Sequence, residues 1–369
     1  MPLHKPIRVI IAGGGTGGHV FPAISIANAL KQKVLNIQIL FVGAKGRLEM
    51  KKVPEAGYHI LGLKISGLQR KLTFKNFVVL YRLIDSMIRS KNIIKRFKPD
   101  LVIGVGGYAS FPIVKSAIKK KIPTLIQEQN SYPGVSNKIL GKKADKICVA
   151  YEGMERFFPK EKIYLTGNPI RKEILDFENK KEEAYKYFNL SKEKKTLLVF
   201  GGTLGAKSIN EAIKVNLKLF LYNDVQIIWQ TGKLYYQDAT EYVKGLEKFD
   251  VRVYEFIDRM DLAYSLADVI VSRSGAIAVS EICAIKKPAV FIPSPNVAED
   301  HQTKNALALV NHHAAVMVKD HEVKEKIGFA VMNLFDDDEK RFKLIEKIAG
   351  LAYYNAADNI AEVALSIVK

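Results

Sequence analysis

The chain has 369 residues, 48% of them hydrophobic and 26% charged, with a net charge of +19 and two cysteines. That length exceeds what one hydrophobic core usually organises, so two domains are expected, and the composition excludes both a disordered chain and a disulfide-stapled mini-protein. Cys148 and Cys283 lie in apolar segments, as buried free thiols do, which points to a reducing compartment.

An apolar stretch over 7–12 reads as a strand and runs into six residues of which five are glycine, without the small-residue cleavage pattern of a secretory signal. No uncharged apolar run reaches the roughly 18 residues that a membrane span needs, so a cytoplasmic chain is expected. A helix after Phe21, a strand over 37–42, a helix near Met50 and a strand near 58–63 set a βα rhythm. It continues with a long helical stretch over 74–97, strands over 101–104, 124–127 and 147–150, and helices over 109–119 and 135–140. After a charged, strand-poor stretch over 171–195, strands are expected over 197–200, 226–230, 252–254, 269–272, 289–292 and 315–318. Helical patterns start at Lys207 and cover 241–246, 277–285 and 302–310, with further helices at the end. The fold class is therefore α/β, with two doubly wound domains whose sheets are mainly parallel and bind ligands beyond the carboxyl ends of their strands.

Three glycine loops sit at such strand ends. The first, GGGTGGHVFP over 13–22, formally contains GxGxxG, but a dinucleotide site also wants an acid closing the second strand, and none occurs before Glu49. His19 stands where a helix N-terminus disfavours imidazolium, as a general base requires; a histidine that merely hydrogen-bonds the loop is the alternative. The second loop, Gly104, Gly106, Gly107 and Tyr108, can form another anion nest or be purely conformational. QEQN over 127–130 places the carboxylate of Glu128 and the amide of Asn130 at the same edge, with a buried structural role as the alternative for Glu128. The third loop, GGTLGAKS over 201–208, misses a P-loop because Ala206 replaces the second glycine, and no strand supplies the acid that magnesium would need. In SRSGAIAVSE, over 272–281, Gly275 and Ala276 offer backbone N–H groups, and Glu281 can accept both hydroxyls of a ribose. Gln302, at the start of DHQTKNA, can meet sugar hydroxyls. Asp336 and Asp338 satisfy DxD, but the run DDDEKR reads as opening and capping a late helix, and no HExxH or paired CxxC occurs, so no metal site is expected.

Three glycine loops, a histidine in the first domain and a ribose-type glutamate in the second suit a nucleotide-sugar transferase. The chain resembles the MurG family of N-acetylglucosaminyltransferases of peptidoglycan synthesis over essentially its whole length. GGGTGGHVFP, ISGL, GVGGYAS, EQNSYPGVSNK, GNPIR, EFID, ADVIVSRSGAIAVSE and DHQTKNA occur in the family's order. The resemblance implies a GT-B fold, two such domains facing across a cleft, with borders at 1–168 plus 353–369 for an acceptor- and membrane-binding domain and at 169–352 for a UDP-sugar domain. It implies inverting transfer of GlcNAc from UDP-GlcNAc to the C4 hydroxyl of lipid I, giving lipid II, with no cofactor or metal. His19 and Glu128 would be catalytic. Thr16, Gly17, Gly18, Asn130, Arg171, Thr203, Ile257, Ala276, Ile277, Ala278, Val279, Ser280, Glu281 and Gln302 would hold the donor. Gly104, Gly106, Gly107 and Tyr108 would meet the acceptor diphosphate. Two departures stand out. Gln127 replaces a histidine common before Glu-Gln-Asn, and Thr203-Leu204 replaces Ser-Gln in the third loop, keeping a hydroxyl and losing an amide.

Residues 1–165 carry 29 lysines and arginines against nine acids, whereas 166–369 carry 28 against 29. Such asymmetry suggests a polyanionic partner, whether nucleic acid, an anionic membrane or a phosphorylated substrate, with a merely solvated basic surface as the alternative. Leu72, Phe74, Phe77, Val78, Leu80, Tyr81, Leu83, Ile84 and Met87, set among Lys71, Lys75, Arg82, Arg89, Lys91, Lys95 and Arg96, are too broad for one core face and suit an interfacial helix with a basic collar. The expected partners are UDP-GlcNAc, lipid I and the anionic cytoplasmic membrane surface, with cell-wall or division proteins besides. Nucleic acid would leave the loops and Glu281 without a role.

Overall fold

A computed structural model describes residues 5–65, 75–246 and 250–368. The chain divides into two compact units, Met1–Ile170 with Asn355–Lys369, and Arg171–Tyr354. These borders fall two residues beyond those read from the sequence.

In the first unit, β1 (Ile7–Ala12), β2 (Ile37–Ala44), β3 (His59–Leu63), β4 (Leu101–Gly104), β5 (Thr124–Glu128), β6 (Lys146–Val149) and β7 (Ile163–Leu165) form one sheet in the order 3-2-1-4-5-6-7. Every pairing is parallel. Helices cover both faces, so central strands such as β4 and β5 are buried at every residue; β4 reads as an unbroken apolar and small-residue run, whereas β5 ends on the buried polar pair Gln127 and Glu128. On one face α1 (Gly17–Lys33) and α15 (Ala356–Leu365) pack through Val20, Ile26, Leu30, Ile360 and Ala364 onto Val9, Ile11 and Ile103. On the other, α3 (Lys75–Phe97), α4 (Ser110–Lys119) and α5 (Val135–Gly141) cover Ile10, Val102 and Ile126 through Ile94, Ile113 and Leu140. The short α2 (Glu49–Glu55) joins β2 to β3.

The second unit repeats the plan. Its strands β8 (Lys195–Phe200), β9 (Val225–Gln230), β10 (Val251–Tyr254), β11 (Val269–Ser272), β12 (Ala289–Phe291) and β13 (Val316–Met317) lie in the order 10-9-8-11-12-13, again all parallel. One face packs against α7 (Lys181–Phe188), α10 (Met260–Leu266), α11 (Ala276–Ala284) and α12 (His301–Val310), the other against α8 (Lys207–Tyr222) and α13 (Val323–Asp336). Three sequence readings change. The segment over 171–195 is largely helical, α9 (Tyr236–Val243) starts five residues before the expected 241, and α1 begins at Gly17 rather than after Phe21. In α14 (Asp338–Ala349) the side chain of Asp337 accepts from the backbone N–H of Lys340 at 2.8 Å, so the acidic run caps that helix.

Each strand order reverses once, between β1 and β4 and between β8 and β11. A crevice opens at such a switch point because the chain leaves the two neighbouring strands in opposite directions. Ala12 pairs with Gly104, and Phe200 with Ser272, so the glycine loops that follow start level with one another.

Candidate functional site

At the first switch point, the glycines permit a close approach of backbone and side chain. Gly106 has φ +93°, and a Cβ there would lie 2.7 Å from Cδ2 and 2.9 Å from Nε2 of His19. Gly107, at φ +79°, would place a Cβ 2.3 Å from the carbonyl oxygen of Gly14. The first and second loops therefore lie backbone against backbone, and the imidazole fills the space that Gly106 leaves open. Thr16 stands in extended conformation before α1, its carbonyl accepting from the N–H groups of His19 and Val20 at 3.1 and 3.2 Å. Its hydroxyl lies 3.4 Å from Nδ1 of His19. Tyr108 is 57% exposed beside them.

A residue that the sequence reading used only as a missing nucleotide acid holds this loop. Glu49, 1% exposed, accepts from the N–H of Gly15 at 2.9 Å and of Ala44 at 2.8 Å.

Glu128 ends β5, buried. Its Oε1 accepts from the backbone and side-chain nitrogens of Asn130, and its Oε2 from Gly134 N–H and Asn137 Nδ2, over 2.8 to 3.2 Å. Burial pushes its pKa up and these four donors pull against it. The carboxylate thus shapes the turn that carries Asn130. Gln127, in the place of the family's histidine, donates to Asn168 Oδ1 at 2.9 Å. Asn168 donates to the carbonyl of Gln129, whose amide reaches the carbonyl of Val105 and the side chain of Gln127. The network ties GNPIR to the second glycine loop through buried amides, so position 127 has a structural use with no proton to transfer.

At the second switch point, Glu281 sits on the second turn of α11, 4% exposed. Its Oε1 accepts from Nε and Nη2 of Arg171 at 3.2 and 3.1 Å, and its Oε2 from the hydroxyl of the fully buried Tyr264 at 3.1 Å. Burial first and Glu281 second push the Tyr264 phenol well above its usual range, so it stays a donor. Arg171 and Glu281, read as separate donor contacts, form one ion pair, and Tyr264 escaped the sequence reading altogether. Gly275 has extended backbone and precedes the first turn of α11, so the N–H groups of Ala276, Ile277 and Ala278 are the orphan donors of a helix start, with Val279 N–H bonded to Gly275 O at 2.9 Å. The hydroxyl of Ser280 turns back to Ala276 O at 3.0 Å.

The third loop is shaped by its own contacts. Gly205, at φ +76°, lies so near Thr231 that a Cβ would meet that carbonyl oxygen at 1.9 Å. Leu204 is 80% exposed. Gln230 bridges this loop to the segment after β10: its amide nitrogen donates to Gly202 O at 3.0 Å and its oxygen accepts from Ile257 N–H at 2.9 Å. The backbone N–H of Ile257, a residue expected to hold the donor, is thus engaged by Gln230. Gln302 accepts from Ser294 N–H at 2.9 Å, which leaves its amide nitrogen as the group it can present. Arg273 reaches Asp320, Ser208 and the carbonyls of Ile292 and Pro293, bracing β11, β12 and the start of α8. Of the sequence-derived residues, Thr16, Gly17, Gly18, His19, Gly104, Gly106, Gly107, Tyr108, Glu128 and Asn130 gather in the first unit; Arg171, Thr203, Ile257, Ala276–Ser280, Glu281 and Gln302 belong to the second.

Two family models match the chain: the glycosyltransferase family 28 N-terminal domain over residues 9–149, and the C-terminal domain of the same family over 196–360. A relative in Parabacteroides distasonis is 52% identical over 364 residues, covering 99% of each chain. One in Flavobacterium psychrophilum is 50% identical, covering 98% of each. Both are named UDP-N-acetylglucosamine–N-acetylmuramyl-(pentapeptide) pyrophosphoryl-undecaprenol N-acetylglucosamine transferase. Among solved structures, Acinetobacter baumannii MurG is 26% identical with a TM-score of 0.77, over 98% of this chain and all of that one. A UDP-GlcNAc 2-epimerase from Neisseria meningitidis, 16% identical with a TM-score of 0.69 over 98% of this chain and all of its own, shares the fold. With both domains matched and about half of its residues shared along the full length, the chain belongs to glycosyltransferase family 28, among the MurG-type N-acetylglucosaminyltransferases.

Proposed function

We propose that this chain transfers GlcNAc from UDP-GlcNAc to the C4 hydroxyl of MurNAc in undecaprenyl-diphospho-MurNAc-pentapeptide, turning lipid I into lipid II with inversion. The observation that carries the reading is the full-length identity of 52% to an enzyme of that name, joined to a histidine seated at one switch point and a buried ribose-type glutamate at the other. His19 takes the proton of the C4 hydroxyl while that oxygen bonds the anomeric carbon. The bond from that carbon to the β-phosphate oxygen breaks, and UDP leaves with the electron pair. The orphan N–H groups at the start of α11, those of Ala276, Ile277 and Ala278, stabilise the departing diphosphate, with the Thr203 hydroxyl at the α-phosphate, so no metal is needed. Glu281 accepts the ribose hydroxyls, braced by Arg171, and the backbone carbonyl of Ile257, whose N–H is held by Gln230, meets the uracil. Thr16, Gly17, Gly18, Asn130 and Gln302 contact the sugar. Glu128 acts by fixing Asn130, and Gly104, Gly106, Gly107 and Tyr108 receive the acceptor diphosphate. His19→Ala should lower kcat by about 10² to 10⁴; a kcat within about threefold of wild type would refute the base assignment.

The acceptor places the work at the cytoplasmic face of the membrane, with the enzyme held there peripherally. Among the described residues no helix is long and apolar enough to cross a membrane. Tyr81, Ile84 and Ile88 are exposed along α3, which supports an interfacial helix held by anionic lipid at about 1 kcal/mol per basic residue near the surface. Leu72, Phe74 and Lys71 lie outside the described residues, as do the side chains of Lys75, Phe77, Val78 and Leu80, and Ser66–Leu68 of ISGL. Binding to anionic vesicles should weaken with salt; equal binding to neutral vesicles at every salt concentration would contradict this reading.

A further inference from the structure

A buried carboxylate costs free energy unless hydrogen bonds meet it, so a glutamate that is 1% exposed and, among the described residues, faces no cation within salt-bridge range calls for an account. No ion pair is formed by Glu49 among the described residues; its two partners are backbone N–H groups, those of Gly15 and Ala44. Glycines make room for it on two sides. A Cβ on Gly14 would lie 2.1 Å from Oε1 of Glu49, and one on Gly43 would lie 2.5 Å from its Cγ. Gly14 and Gly15 take φ +152° and +94°, a conformation that a free loop would leave readily. One residue further on, Thr16 opens the helix whose first turn carries His19.

We propose that Glu49 is a positioning residue for the reaction: its carboxylate fastens the first glycine loop to the end of β2 and so sets His19 against the second loop. Glu49 does not touch substrate. It acts through the backbone of Gly15 and Thr16 on the placement of the imidazole. This inference rests on His19 being the base.

The test compares Glu49→Gln, His19→Ala and the double variant of the full chain, with UDP-GlcNAc and a lipid-linked MurNAc-pentapeptide. Glutamine keeps the shape but turns an amide NH₂ toward one of the two backbone N–H groups. A misplacement near 1 Å can cost about 10² in rate, so kcat should fall at least about tenfold, a larger change than any in the donor KM that the neighbouring Thr16 brings. In the His19→Ala background the same change should cost less than about threefold, because residues acting as one unit are non-additive. A tenfold loss in both backgrounds, or no loss in either, overturns the proposal. A wild-type kcat for His19→Ala overturns the base assignment instead, so the two failures are told apart. Should Glu49→Gln fail to fold, Gly43→Ala displaces the carboxylate without removing it and must reproduce the kcat loss; wild-type turnover by a folded Gly43→Ala enzyme, in which Glu49 has moved, overturns the proposal too.

Discussion

Replacing Gly106 by alanine separates packing around His19 from simple backbone strain. At φ +93° an L side chain costs about 1 to 2 kcal/mol, and its Cβ would stand 2.7 Å from the imidazole. Carbon atoms sit comfortably at about 3.5 Å, so the ring must retreat by about 0.8 Å. A shift of that size at a proton-accepting nitrogen should lower kcat by about 30- to 100-fold. The strain should lower the melting temperature by about 2 to 8 °C. Gly57→Ala is the control: Gly57 has φ +81° but open space around its Cα, so it pays the same strain and touches no functional group. Steady-state turnover with a lipid-linked acceptor and calorimetric unfolding read both quantities. If the two variants lose equal stability and both keep full kcat, the seat of His19 against Gly106 plays no part in the rate.

Glu281→Ala should raise the donor KM with a smaller fall in kcat, and Tyr264→Phe should do the same to a lesser degree, about three- to tenfold, by freeing one carboxylate oxygen; an unchanged donor KM in both would remove this pair from the ribose. Burial acts to raise the pKa of Asp261, but hydrogen bonds from Arg259 and Lys180 outweigh it and hold the value at about 2. Because the folded value lies below the ordinary 3.8, the stabilisation is complete above about pH 4 and is lost as pH falls through about 2. Asp261→Asn should therefore cost about 1 to 2 kcal/mol at pH 7, allowing for solvent screening at the exposed Arg259, and the variant and wild type should converge near pH 2 in denaturant titrations. Turnover should be unchanged by EDTA; loss restored by a divalent ion would show that the helix N-termini do not suffice.

Strand positions were legible because every sheet is parallel and buried on both faces, so β1, β4 and β8 read as short, mostly apolar runs closed by glycine. The exceptions are informative. β7 has three residues, half-buried or exposed at the sheet edge, and α10 is a seven-residue helix lacking a cap signal; both are placed by tertiary packing rather than by a local pattern. At the site, residues beside glycine loops could be found by position, as His19 and Glu281 were. Residues that hold the loops could not. Glu49 reaches Gly15 across 34 positions, Gln127 reaches Asn168 across 41, and Tyr264 looks in sequence like any core aromatic. The one hint was composition: a carboxylate at the first position of α2, directly after the turn Lys45-Gly46-Arg47-Leu48, which holds no acid. For the second loop an anion nest and a purely conformational turn were both open from the sequence, and the structure shows Gly106 and Gly107 required by the close approach of His19 and Gly14.

The account turns on coupled chemistry, and the most direct measurement is UDP release from UDP-GlcNAc with and without a lipid-linked MurNAc-pentapeptide. Release that requires both the acceptor and the GlcNAc donor, with UDP-glucose a poor substitute, is the predicted result. Release without acceptor, as an epimerase or hydrolase on this fold would give, would contradict it.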